Sequence, residues 1–248
     1  MSIMLNVQHL CKTYPSFTLN DVSFSLASGR IMGLIGKNGA GKSTTLKAML
    51  NMVCPDSGTI TMMGKDFYAD EACCKQALGV VLGGIHFYKE KRLAQITRVT
   101  RQFYEHWDET AYERYMQMFA LDEQKRVKEL SEGMKVKYLI ALALSHDAKL
   151  FIFDEPTSGL DPVAREDLLT LFRQLVQDGQ RSILFSTHIT SDLDKCADDI
   201  TYIKDGHLVA SADKQTFIDS FQHLRKAGEQ ALSLEEIMVR NEGRTYDV

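Results

Sequence analysis

Apolar and polar residues alternate at the start of the chain. Over residues 3–10 and 17–26 the spacing of Val7, Leu10, Leu19, Val22, Phe24 and Leu26 predicts two half-buried antiparallel strands. Tyr14-Pro15 between them reads as a turn. The pattern then changes to short unbroken apolar runs at Ile31–Ile35, Ala77–Leu82, Leu150–Phe153, Ser182–Ser186 and Ile200–Ile203. Such runs suit strands buried on both faces. Between them lie helix-compatible segments at 45–50, 168–176 and 191–197. A β-rich run at 59–64 follows the turn Pro55–Gly58, and Asp205-Gly206 between two apolar runs predicts a hairpin. Strands alternating with helices place the chain in the α/β class.

Residues 86–148 have a different character. Ile96, Val99 and Phe103, then Tyr112, Tyr115, Met116 and Phe119, recur at helical spacing among many charged residues. We read a helical insert whose Trp107 and Tyr/Met stripe belong to the core, with any exposed share of the stripe a docking face. Leu130-Ser131-Glu132-Gly133-Met134 interrupts it, and a helix runs from about Lys135 to Ser145, with Ser131 placed to cap it. The tail from about Phe217 reads as amphipathic helix, frayed over Asn241–Val248.

Composition narrows the function. At 248 residues the chain can bury a full core, and 44% hydrophobic with 25% charged residues is ordinary for a soluble protein. A net charge of −4 leaves no basic footprint for nucleic acid. No apolar run approaches the roughly 20 residues of a membrane span, and Met1-Ser2-Ile3-Met4 does not begin a signal peptide. Cys11, Cys54, Cys73, Cys74 and Cys196 are odd in number and lack C-x-x-C spacing, so we read them as reduced structural residues of a cytoplasmic protein.

The chemistry gathers at strand ends. Gly36, Lys37, Asn38, Gly39, Ala40, Gly41, Lys42, Ser43 and Thr44 form G-x-x-x-x-G-K-S-T between a buried strand and a helix, the phosphate-binding loop pattern. Backbone N–H groups and the helix N-terminus receive phosphates there. Lys42 would reach the β- and γ-phosphates and Ser43 would hold Mg²⁺. Leu150–Phe153 ends in Asp154-Glu155 at the sheet edge where ligands bind, which suits a Mg²⁺ ligand and a general base. His188 follows the next strand on the same edge, in reach of a γ-phosphate. Asp161-Pro162 predicts a helix start.

These motifs occur together in the order Gly36–Thr44, Phe151–Glu155, Ser158–Asp161 and Ser186–His188. In that order the chain resembles the ATP-binding subunit of ABC transporters over about residues 3–240. The resemblance implies a P-loop NTPase with a RecA-like core, an antiparallel β-subdomain and a helical subdomain. Core and β-subdomain would occupy 1–83 and 149–225, the helical subdomain 84–148, and a C-terminal helix and tail 226–248. It implies adenine stacking on Tyr14, ATP with Mg²⁺ on Ser43 and Asp154, and catalysis by Glu155 and His188. Ser131, Gly133 and Asp161 would contact ATP in trans, from a second ATPase subunit packed head to tail. It also implies integral membrane permease subunits as partners and a place on the inner face of the cell membrane. Ser233-Leu234-Glu235-Glu236-Ile237 resembles the ending of ABC-2-type exporter subunits.

Two departures stand out. The signature reads L-S-E-G-M where the family has L-S-G-G-Q, so Glu132 brings a carboxylate toward a polyphosphate. After the strand 79–82 the family places a glutamine, and here Gly83 stands in its place, with His86 a neighbour that could substitute. They give weight to one alternative, a regulatory module that hardly hydrolyses ATP; a soluble ABC ATPase that moves no solute is the other.

Overall fold

The computed structural model describes residues 2–83, 88–226 and 229–243. Ten strands form a sheet in the order β5-β4-β1-β2-β10-β9-β3-β8-β7-β6. One wing is antiparallel: β1 (Ile3–Tyr14) pairs with both β2 (Phe17–Ala27) and β4 (Ser57–Met62), and β4 with β5 (Lys65–Asp66). The other part is parallel: β9 (Asp199–Lys204), β3 (Ile31–Ile35), β8 (Ser182–Ser186), β7 (Leu150–Asp154) and β6 (Leu78–Leu82). β10 (His207–Asp213) hairpins back from β9 and meets β2 at His207–Asn20. Its turn residues Asp205 and Gly206 both have positive φ, as the Asp-Gly signal predicts.

Period-two alternation sorts the parallel strands onto two faces. Ile31, Ile35, Phe151, Phe153, Ile183 and Phe185 face one core. Met32, Leu34, Ile152 and Leu184 face another, shared with the antiparallel wing and α1 (Lys42–Met49). Phe153, Phe172 and Phe185 pack as a ring series on the first face, with centroids 5.3 and 5.7 Å apart. Such aromatics dominate burial energy.

Helices α2 (Glu71–Gln76), α6 (Pro162–Val176) and α7 (Thr190–Cys196) lie between strands, and the helical insert holds α3 (Leu93–Thr100), α4 (Glu109–Met118) and α5 (Glu132–Ala143). Buried Thr97 binds the hydroxyls of Tyr112 (2.9 Å) and Tyr138 (2.8 Å), tying the three helices. α5 begins at Glu132, three residues earlier than expected, because Ser131 caps it by accepting from Met134 N. Trp107 packs partly buried against the core. Val99 and Phe103 do not: they are 51% and 70% exposed. Of the cysteines, Cys74 and Cys196 are buried, whereas Cys54 and Cys73 are exposed and free, so the structural reading fails for the latter pair.

The tail also departs from expectation. It is two helices, α8 (Lys214–Ser220) and α9 (Leu234–Glu242), rather than one. Ser233 and Glu236 form a capping box that starts α9 afresh, and Leu234 and Ile237 are fully buried. Asn241 and Glu242 are not frayed: Asn241 Nδ2 donates to Tyr202 Oη (3.1 Å), which donates to Glu242 Oε1 (2.7 Å). Residues 244–248 lie outside the described residues.

Candidate nucleotide site

β3 is buried along its whole length and delivers the chain into the loop 36–41 at the sheet edge. Gly36 has φ +150°, and a Cβ there would lie 2.2 Å from the Ile203 carbonyl oxygen. Only glycine permits that approach between loop and β9. The β9–β10 turn supports the loop from the same side, Gly206 N donating to Ala40 O at 2.9 Å. α1 then starts at Lys42, with Gly41 as its cap. Lys42 is buried, and Nζ donates to Gly36 O (2.7 Å) and Lys37 O (3.3 Å). Burial draws its ammonium below the ordinary lysine range, while Glu155, Asp154 and Glu242 act in the opposite direction.

Ser43 Oγ donates to Asp154 Oδ2 at 2.9 Å, and Ser186 Oγ donates to Asp154 Oδ1. β7 is therefore the strand that brings its terminal carboxylate to the loop. Glu155 N donates to Ser186 Oγ (3.0 Å) and Ser186 O (3.1 Å). Glu155 has φ +52°, a conformation that a non-glycine residue holds only under constraint. Its Oε2 lies 2.7 Å from His188 Nδ1. Because an ionised carboxylate only accepts, the proton of this bond sits on His188 Nδ1.

Tyr14, 37% exposed, ends β1 and borders a cleft of about 690 Å³ with Phe17, Lys37–Gly39, Gly41–Thr44 and Glu155. So the loop, the aromatic and the acid share one cleft. His188 borders a second cleft of about 460 Å³, with Lys37 and Glu242. Ser131, Gly133 and Asp161 line neither cleft. They sit together elsewhere: a Cβ on Gly133 would lie 3.0 Å from Leu160 Cδ2 and 3.4 Å from Gly159 O. Asp161 caps α6 (Pro162–Val176), its Oδ1 accepting from Val163 N and Ala164 N at 3.0 Å, and these N–H groups hold its carboxyl below the usual range. Glu132 turns to Lys135 at 2.6 Å, so the carboxylate that the altered signature introduces is paired within its own helix.

Gly83 follows Leu82, the register partner of Asp154, and so stands beside the paired acids. Its φ is +67°, and among the described residues a Cβ would meet nothing within 4 Å. A side chain there still strains the backbone. His86 lies outside the described residues.

The family model for ABC transporters matches residues 19–158, more than half of the chain. The chain belongs to the ABC transporter family. The Nod factor export ATP-binding protein I of Mesorhizobium japonicum is 32% identical over 88% of this chain and 66% of its own length. The bacitracin transport ATP-binding protein BcrA of Enterococcus faecalis is 28% identical over 84% of this chain and 69% of its own. This chain thus spans about two thirds of these relatives. A solved ATP-binding subunit of an ABC transporter superposes with a TM-score of 0.83 at 28% identity, covering 95% of this chain and 98% of that one. The chain therefore has the P-loop NTPase fold and is similar to the ATP-binding subunits of ABC transporters.

Sequence reasoning on this ABC ATPase missed three contributors. Phe17 borders the cleft, and its ring lies 3.0 Å from where a Gly41 Cβ would stand. Ser186 links both acids through one hydroxyl; its place in the Ser186-Thr187-His188 motif was the available signal. Glu242 approaches the loop from the end of the tail, and nothing local in the sequence announces that.

Proposed function

We propose that this chain is the motor of an exporter, with ATP held in the cleft between Tyr14 and residues 36–44. The reading rests on one observation above all: Ser43, Asp154, Glu155 and His188, from three segments, are joined by hydrogen bonds beside the phosphate loop. Ser43 Oγ and Asp154 Oδ2 are hard oxygen donors side by side, the kind of ligand pair Mg²⁺ takes when phosphates and water complete its shell. Mg²⁺ held there would neutralise charge that develops on the phosphates. Lys42 would exchange its loop carbonyls for the β- and γ-phosphates. Glu155 would accept a proton from the attacking water. His188 holds Glu155 in place, and it can donate to the γ-phosphate at the same time only as imidazolium, since its Nδ1 proton is already engaged.

We take residues 84–148 as the helical subdomain that carries Ser131 and Gly133 toward a second copy of this chain, with Asp161 at the same junction. The free surface suits a membrane partner. Leu50, Met52, Leu78, Val80, Phe103 and Tyr104 border an apolar groove of about 430 Å³, and Met52 and Phe103 are 61% and 70% exposed. We infer that an integral permease subunit covers it and holds the chain against the inner face of the membrane. No helix among the described residues is long and apolar enough to cross a membrane, so the path for the exported solute belongs to that partner. Export, rather than import, follows the named roles of the Nod factor and bacitracin relatives. The test is phosphate release by the purified chain: turnover that needs Mg²⁺, and that Glu155→Gln abolishes without loss of ATP binding, supports the reading. Full turnover in that variant overturns it.

A further inference from the structure

Lys37 belongs to the phosphate loop but borders two clefts, the one shared with Tyr14 and the one against α9. Its ammonium is drawn to the second side. It lies 3.0 Å from Asp205 Oδ1 in the β9–β10 turn and 3.4 Å from Glu242 Oε2 in the last turn of α9. Both carboxylates raise its pKa and keep it charged.

Glu242 is well placed to hold it. Its side chain is 14% exposed, and Oε1 accepts from Tyr202 Oη. Oε2 is buried with no hydrogen-bond partner, so Lys37 is the charge that answers it. Tyr202 lies on β9 in register with Ile35, the residue just before the loop. Lys204 Nζ donates to the Asn241 carbonyl, and Arg240 bonds Leu224 O (2.9 Å) and Glu229 Oε2 (2.6 Å). The last turn of α9 is thus pinned to the strand that neighbours the phosphate loop.

We propose that Glu242 sets the affinity of this site for nucleotide, as a positioning residue acting through Lys37. A polyphosphate in the Tyr14 cleft and the carboxylates on the α9 side compete for one ammonium. Each charge on the far side lowers what the phosphates gain from it. Glu242 therefore weakens nucleotide binding, and a movement of α9 that withdraws it strengthens binding without touching Glu155 or His188. The inference rests on the loop being the nucleotide site.

The test is the affinity of the full chain for the Mg²⁺ complex of adenylyl imidodiphosphate, measured for the unaltered chain, Glu242→Gln, Lys37→Gln and the double variant. Binding by the unaltered chain tests the nucleotide-site reading itself. Glu242→Gln should then bind about threefold to tenfold more tightly, with KM for ATP lowered and kcat within about twofold. The double variant should lie close to Lys37→Gln, because the carboxylate acts chiefly through that lysine and only weakly on Lys42. If Glu242→Gln does not fold, Glu242→Asp shortens the carboxylate's reach to Lys37 and should move affinity in the same direction by less. Unchanged or weaker binding in whichever of the two variants folds overturns the proposal, as does an effect of Glu242→Gln that survives undiminished in the Lys37→Gln background.

Discussion

Two surfaces of this chain carry nucleotide motifs, and they are built differently. At the end of the parallel strands the polar groups face one another across chain segments. Ser43 reaches Asp154 over 111 residues and His188 reaches Glu155 over 33. At the signature the polar groups are spent locally. Ser131 accepts from Met134 N three residues on, Glu132 pairs with Lys135, and Asp161 caps its own helix. The first surface has its polar groups already arranged, as a preorganised catalytic half would need so that little reorganisation accompanies reaction. The second is a rigid presentation surface whose groups need something from outside to act on. On the proposed function these surfaces divide the labour: one would bind and cleave, and the other, from a second copy, would complete the site.

The largest expected effect lies at the first surface. Glu155→Gln should lower ATP turnover by about 10²–10⁴-fold, the span of a lost general base, while equilibrium binding of ATP changes little. Rates and affinities measured side by side on one preparation check this. Next comes the second surface. Gly133→Asp places a side chain where Leu160 Cδ2 stands 3.0 Å away and adds a carboxylate facing the incoming phosphates. Turnover at saturating ATP should fall about 10²-fold or more, while the isolated subunit keeps its affinity. A variant that instead loses binding would mean that the two surfaces are not independent.

A smaller effect is expected at Gly83. The position adjoins the paired acids, yet φ +67° disfavours any side chain. Gly83→Gln should destabilise the chain by about 1 kcal/mol, read as a fall in urea midpoint. Turnover and its Mg²⁺ dependence should shift if the amide reaches the acids. If both match the unaltered chain, the absent glutamine has no catalytic consequence.

The smallest effect concerns the support beneath the sheet. His146 stacks on Tyr104 with centroids 3.8 Å apart, and its Nε2 lies 2.9 Å from Leu78 O. Burial lowers its pKa, so at acid pH the unfolded chain takes the proton more readily than the folded one. Stability should therefore fall as pH drops through the ordinary histidine value near ~6.5 and below. His146→Gln should flatten that part of a melting-temperature profile against pH.

The two surfaces were unequally legible in the sequence. The phosphate loop, the Asp154-Glu155 pair, His188 and the Ser131 cap are local patterns whose residue types and spacing carry their chemistry. The alternation of strands gave the two-faced core for the same reason. What local pattern could not give was contact between distant segments. Glu242 comes to Lys37 from the far end of the chain and meets Tyr202 across 40 residues. The tail breaks because Ser233 and Glu236 cap a new helix, although its apolar spacing alone looked continuous. Glu155's positive φ follows from the grip of Ser186 on its backbone, which a strand-end acid does not advertise. Val99 and Phe103 kept helical spacing yet ended exposed, because periodicity says which residues share a face and not what covers it.

The division of labour has a direct test in the mass of Glu155→Gln in solution, measured by light scattering with MgATP and then with MgADP. The account predicts a dimer with MgATP and a monomer with MgADP, since only the γ-phosphate gives Ser131 and Gly133 of a second copy something to hold. A monomer in both, with ATP binding verified on the same sample, would contradict it.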